Sequence, residues 1–141
     1  MARAARCPAR GFTLIELCVV LAVAGVLVTI AWPSFQSQLQ RGRRADAVAA
    51  LLRLQLAQEN YRSHHGLYAA QLGVLVGAAA PRSSEGLYDI ELLDAGGDRY
   101  EARATARTGS VVAADTGCTV LRLLVRDGLA DFAPSSRCWN R

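Results

Sequence analysis

The sequence contains no lysine; all 16 of its basic residues are arginine, a pattern we read as compositional bias rather than function. It also lacks an excess of charge where one would matter. The formal net charge is +4, but Arg3, Arg6 and Arg10 precede residue 12, and the chain from residue 12 onward carries 13 arginines against 12 acids. A near-neutral balance of that kind is no nucleic-acid signature by charge count. Metal-ligand spacing is missing as well. The only histidines, His64 and His65, are adjacent, and Cys7, Cys18, Cys118 and Cys138 match no zinc pattern. No glycine-rich phosphate loop and no Ser/His/Asp set in recognisable context occurs. The sequence therefore offers no catalytic residue, cofactor or metal to assign, and we expect a protein that is not an enzyme.

What is present is one long apolar run. Phe12 to Trp32 is 21 residues with a single charged side chain, Glu16. As a helix it would cover about 31 Å, the thickness of a bilayer's hydrocarbon core. A carboxylate in such a run costs roughly 2–3 kcal/mol at mid-membrane and less near an end, so Glu16 needs a reason.

The stretch Gly11-Phe-Thr-Leu-Ile-Glu-Leu17 resembles the processing site of type IV prepilins and the related pseudopilins. In that family a short basic leader is cut after the glycine by a membrane peptidase, and the new N-terminal phenylalanine is usually N-methylated. The apolar helix then becomes the core of a filament. The resemblance implies cleavage between Gly11 and Phe12, methylation of Phe12, and an assembly role for Glu16. Physical chemistry agrees with that role, because a carboxylate one helical turn from the Phe12 ammonium can neutralise it on the same or a neighbouring subunit. Either charge left alone in hydrocarbon is unfavourable, so pairing favours one axial register. Two rivals exist: an ordinary anchor whose Glu16 snorkels to the headgroups, and a secretory signal cut near Thr29-Ile-Ala31. Glu16 in the apolar core and the bulky Trp32-Pro33 after the cut argue against the second.

The chain then divides into a leader (1–11), a transmembrane and filament-core helix (12–33), and a periplasmic or extracellular domain (34–141). The three leader arginines are balanced by Arg41, Arg43 and Arg44, so the positive-inside rule does not orient the helix. Cys118 and Cys138 do: read as a disulfide rather than a metal pair, they place the domain in an oxidising compartment. Pro33 and Gly42 are expected to kink or locally unwind the helix. Beyond them Ala45, Val48, Ala49, Leu52 and Leu56 keep helical spacing, widened by Leu51 and Leu54, and predict the core face of an amphipathic helix that ends near His64-His65-Gly66. Residues 66–86 read as a loop with a short helical turn around Ala69–Leu75.

At Tyr88 the period changes to 2. Tyr88, Ile90 and Leu92 alternate with Asp89 and Glu91, and after a turn at residues 94–98 Tyr100, Ala102, Ala104 and Ala106 alternate with polar residues. A third strand spans 119–126 and a short fourth 129–132, with Cys138 tied back to Cys118. The prediction is α+β, a long kinked N-terminal helix packed on a three- to four-stranded antiparallel sheet over 87–132. The Cys138-Trp139 close after four strands resembles the small minor pilins of the PilE-like branch. Such a resemblance implies a structural subunit of a type IV pilus, supporting pilus biogenesis, adhesion or twitching motility. Its partners would be other pilin subunits, the prepilin peptidase and an inner-membrane assembly machinery, and it would stand in the inner membrane before joining a surface pilus. Two alternatives remain: a type II secretion pseudopilin, and a DNA-binding minor pilin using Arg103, Arg107, Arg122 and Arg126 on the wet face of the sheet, a face that Glu101 interrupts.

Overall fold

The computed structural model describes residues 12–76 and 82–141. The leader, with Gly11 and Cys7, and the middle of the 66–86 loop lie outside the described residues. The chain divides into two compact units, one up to Ser37 and one from Gln38 to Arg141.

Helix α1, Leu14–His65, is 52 residues long and includes Pro33 and Gly42, the two positions expected to weaken it. Thr13 begins it: the Glu16 backbone N–H donates to Thr13 Oγ1 at 3.3 Å. This satisfies one of the amides that a helix start leaves without a partner. In the first unit the side chains from Phe12 to Trp32 are all exposed, and α1 is long and apolar enough there to cross a membrane. At its far end Gly66 adopts φ 77° and donates its N–H to the Arg62 carbonyl at 2.8 Å, the left-handed stop expected of glycine. His64 and His65 sit over the last carbonyls, their Nδ1 atoms 2.8 and 2.9 Å from those of Asn60 and Tyr61. A short helix, α2, spans Leu72–Val76 within the loop read as holding a helical turn.

In the second unit come four strands: β1 Tyr88–Gly96, β2 Arg99–Ala106, β3 Val120–Arg126 and β4 Leu129–Ala133. They pair antiparallel in chain order, β1-β2-β3-β4. Strand β1 continues past Leu93 through an irregular stretch to Gly96, so the first turn is tighter than residues 94–98. Asp127 and Gly128 both take positive φ, 51° and 79°, as a two-residue hairpin turn requires. The inner face carries Tyr88 and Ile90 from β1, Tyr100, Ala102 and Ala104 from β2, and Leu121, Leu123 and Val125 from β3, all buried. The alanines leave room for α1, which inserts Ala47, Leu51 and Leu54 into the same core. Burying each leucine there stabilises by about 1.5–3 kcal/mol.

The phase of α1 differs from the sequence expectation. Its buried residues are Arg44, Asp46, Ala47, Leu51, Leu54 and Gln58, whereas Ala45 and Ala49 face out and Leu52 and Leu56 are 42% and 72% exposed. Leu51 and Leu54, expected at the margin of the predicted stripe, are its buried members, and Val48 is partly buried against the core. The reason is polar. Gln58 is fully buried because its amide pairs with the backbone of Ala69, donating from Nε2 to the carbonyl at 3.0 Å and accepting from the N–H at 2.8 Å. Arg44 is buried with Asp115. Satisfied polar groups can occupy a core face, and hydrophobic spacing alone cannot see them.

Candidate assembly helix and arginine face

Glu16 lies on the first turn of α1, exposed on the surface of the single chain, three residues after the cap Thr13. Thr13-x-x-Glu16 is the spacing of a capping box. Glu16 therefore sits at a local helix-start position besides its predicted assembly role, a position that the length and apolarity of the run do not reveal. Phe12, 84% exposed, immediately precedes the cap. Cys18, two residues past Glu16, is free and exposed. Apolar side chains bare along the whole run are the defining feature of this unit. In water such a surface is unfavourable, so it requires lipid or other helices to cover it.

Cys118 and Cys138 form the expected disulfide, with sulfurs 2.05 Å apart. Cys118 ends the β2–β3 loop and Cys138 lies in the tail after β4, so the bond joins the two segments that flank the β3–β4 hairpin. Trp139 is buried beside it, its indole N–H donating to the Ala133 carbonyl at 2.9 Å and its ring edge-to-face with Phe132 at 4.7 Å.

The β2–β3 loop also contributes Asp115. Arg44 Nη2 donates to Asp115 Oδ1 at 2.6 Å and Arg44 Nε to Oδ2 at 2.5 Å, and the two side chains are 3% and 4% exposed. The hydrogen bonds to Asp115 raise the Arg44 pKa above its ordinary value, with burial opposing them. Close by, Tyr88 is buried with its hydroxyl unpartnered, and desolvation pushes its pKa up to about 12. Tyr100, likewise buried and unpartnered, is raised further, again chiefly by burial.

The outer face of the sheet carries the arginines. Arg103 stands opposite Arg122 across β2 and β3, and Arg126 stands opposite Arg99. Alternation did not point to Arg99, because strand ends leave register undetermined. Arg107 departs from the group: just past β2, its Nη1 donates to the Gly86 carbonyl at 3.1 Å and its Nε lies 3.7 Å from Asp89. Acids interleave, with Glu101 accepting from Arg103 Nη2 at 3.0 Å and Glu91 opposite Arg103 on β1. Like charges directly opposite on a sheet are destabilising, and in each pair one arginine has an acid beside it, Glu101 for Arg103 and Asp94, 3.5 Å from Nε, for Arg99. Arg103 and Arg122 also line a depression of about 350 Å³ with Gly117, Thr119, Val120 and Pro134. Among the described residues no cluster of His, Cys, Asp and Glu is arranged to hold a metal ion.

Residues 6–32 match the prokaryotic N-terminal methylation motif. Residues 33–122 match the family described as type IV minor pilin ComP, DNA uptake sequence receptor. Among curated relatives, the type IV major pilin protein PilE of Neisseria gonorrhoeae is 32% identical over 83 residues, 59% of this chain and 49% of that protein. The type IV major fimbrial protein FimA of Dichelobacter nodosus is 29% identical over 139 residues, 94% of this chain and 81% of FimA. The type IV major pilin protein PilA of Myxococcus xanthus is 33% identical over 100 residues, 71% of this chain and 39% of PilA. The chain thus spans about half the length of the gonococcal pilin and less of the myxococcal one. With a methylation motif on its apolar helix and a minor-pilin match across well over half its length, the chain belongs to the type IV pilin family.

Proposed function

We propose that this pilin is a minor structural subunit of a type IV pilus, cut between Gly11 and Phe12 by a prepilin peptidase and methylated on Phe12. The observation that carries the reading is the union of a bare, membrane-length apolar helix with a separately folded, disulfide-tied sheet unit. A helix of that kind is held by lipid before assembly. It moves into a bundle when neighbouring helices replace the lipid contacts, and interhelical packing rather than water exclusion then drives association. Glu16 sets the register by pairing with a Phe12 ammonium, while the sheet unit faces outward in the periplasm and later on the cell surface. An inner-membrane assembly machinery delivers the subunit. The N-terminal mass of protein recovered from cells tests the reading directly. A methylated chain starting at Phe12 is expected; a chain starting at Trp32 would establish a secreted soluble protein instead.

A second reading has a specific observation behind it. The matched minor-pilin family is described as a DNA uptake sequence receptor, and on this chain Arg99 stands opposite Arg126 and Arg103 opposite Arg122, a basic face to which the reading assigns phosphate contacts. Binding of duplex DNA by the full chain in detergent micelles should weaken steeply with salt. Replacing Arg122 by Gln should lower the slope of log affinity against log salt by about 1 if it meets one phosphate. Salt-independent binding, or none, removes this reading and leaves the structural one intact. No observation favours the secretion-pseudopilin alternative.

A further inference from the structure

A second group of arginines, apart from the sheet face, gathers where α1 meets the C-terminal tail. Arg41, Arg137, Asn140 and Arg141 line a cavity of about 320 Å³, within the size range of small-ligand sites. No aspartate or glutamate lines it. Among the described residues none of the three arginines forms a salt bridge with a carboxylate side chain. Asp115, the acid linked to this region through Arg44, has both carboxylate oxygens committed to that arginine.

The scaffold around the cavity is fixed. Asn140, at φ 57°, donates from Nδ2 to the Arg41 carbonyl at 3.0 Å, and Arg44 Nη1 donates to the Arg137 carbonyl at 3.3 Å. The tail is closed on itself by Asn140 N–H to the Arg137 carbonyl and Arg141 N–H to the Ser136 carbonyl. Cys138 anchors the tail covalently, and the Arg141 guanidinium rests 4.1 Å over the Phe132 ring. The contacts that build the site thus use backbone groups of Arg41 and Arg137. Among the described residues the guanidinium groups of Arg41 and Arg137, both exposed, take no part in these contacts, so their donors are open to a ligand.

Three arginines line one cavity to which no aspartate or glutamate contributes, an arrangement that calls for an anion, and planar guanidinium donor pairs match phosphate oxygens. Position in the chain selects the source. Arg41 comes nine residues after Trp32, the close of the membrane-length run, on the same helix, and basic groups next to a membrane segment meet the phosphates of anionic lipids. We propose that the cavity of Arg41, Arg137 and Arg141 is a site for the phosphate of an anionic phospholipid headgroup, occupied while the subunit resides in the bilayer. It rests on the reading of the apolar run as a membrane segment.

The test uses the full chain reconstituted in vesicles of phosphatidylcholine with phosphatidylglycerol, extracted in mild detergent and weighed by native mass spectrometry. Phosphatidylglycerol should be retained in preference to phosphatidylcholine. The R41Q/R137Q variant should lose that preference by roughly tenfold or more, with an unchanged thermal melt, whereas R126Q on the sheet face should keep it. Equal retention of the two lipids by the unaltered chain, or equal loss in R126Q, overturns the inference. Displacement of the lipid by millimolar inorganic phosphate reassigns the site to a free anion and overturns it also. Alkaline carbonate extraction of the vesicles separates the two levels. A chain stripped from the vesicles overturns the membrane reading itself, while a chain that resists stripping but shows no lipid preference overturns this inference alone.

Discussion

Arg44 on α1 and Asp115 in the β2–β3 loop, 71 positions apart, are joined by two buried hydrogen bonds of 2.5 and 2.6 Å. The pair fastens the loop that carries Cys118 to the helix, and through Nη1 of Arg44 it also reaches the Arg137 carbonyl in the tail. Helix, loop and tail therefore meet at one guanidinium.

Removing one member of that pair leaves the other charge buried alone. Asp115→Ala should lower the stability of the full chain in micelles by about 3–5 kcal/mol, whereas replacing Arg44 by Met together with Asp115 by Leu should cost far less. Thermal unfolding measured by tryptophan fluorescence compares the two. A single variant as stable as the unaltered chain would show that the pair contributes nothing.

The disulfide closes a loop with a sequence separation of 20 residues, for which chain entropy gives a stabilisation of about 3 kcal/mol. Cys138→Ser, or reduction with dithiothreitol, should lower the melting temperature by an amount matching that figure. An unchanged melt in reductant would mean that the reduced tail holds by Trp139 and its hydrogen bond alone.

Tyr88 makes stability sensitive to alkali. Its folded pKa of about 12 lies above the ordinary tyrosine value of 10, so the folded state holds the proton more tightly than the unfolded one. Its contribution is therefore complete below pH 10 and is lost as pH rises towards 12, by about 2–3 kcal/mol in all. Tyr100 acts in the same direction. Tyr88→Phe should flatten part of that fall, and unfolding measured at intervals from pH 8 to about 12 would reveal it. An identical alkaline loss in the variant would place the sensitivity elsewhere.

Glu16 and Thr13 can be told apart by paired substitutions. Thr13→Ala removes the cap on the first turn of α1 and should cost about 0.5–2 kcal/mol of local helix stability, with filament incorporation largely kept. Glu16→Ala should leave membrane insertion intact or improve it, yet reduce incorporation sharply. If the two variants lost incorporation equally, helix capping rather than charge pairing would explain Glu16.

The sheet was legible because alternation is a two-residue signal that short strands show in full. Tyr100, Ala102 and Ala104 inward, with Arg103 outward, come from it directly. An Asp127-Gly128 pair marked a turn for the same local reason. The helix phase was not legible, since Arg44 and Gln58 belong to the core only by virtue of partners at Asp115 and Ala69 that no periodicity reveals. Asp115 lay in a stretch without pattern, and Arg107 kept the right parity but was diverted past the strand end by Gly86 and Asp89. What spacing found on α1 was a real apolar stripe, Ala45, Ala49, Leu52 and Leu56, which the folded unit leaves uncovered.

That uncovered stripe divides the helix into two genetic territories. Substituting polar residues at Leu51 or Leu54, or alanine at Gln58, should deplete the protein from the cell, because a chain that cannot close its core is degraded. A polar residue at Leu52 or Leu56 should leave abundance untouched and register only as fewer or altered pili. Immunoblots beside filament counts would read the two outcomes separately, so neighbouring positions on one helix would sort into mutants that vanish and mutants that persist without assembling.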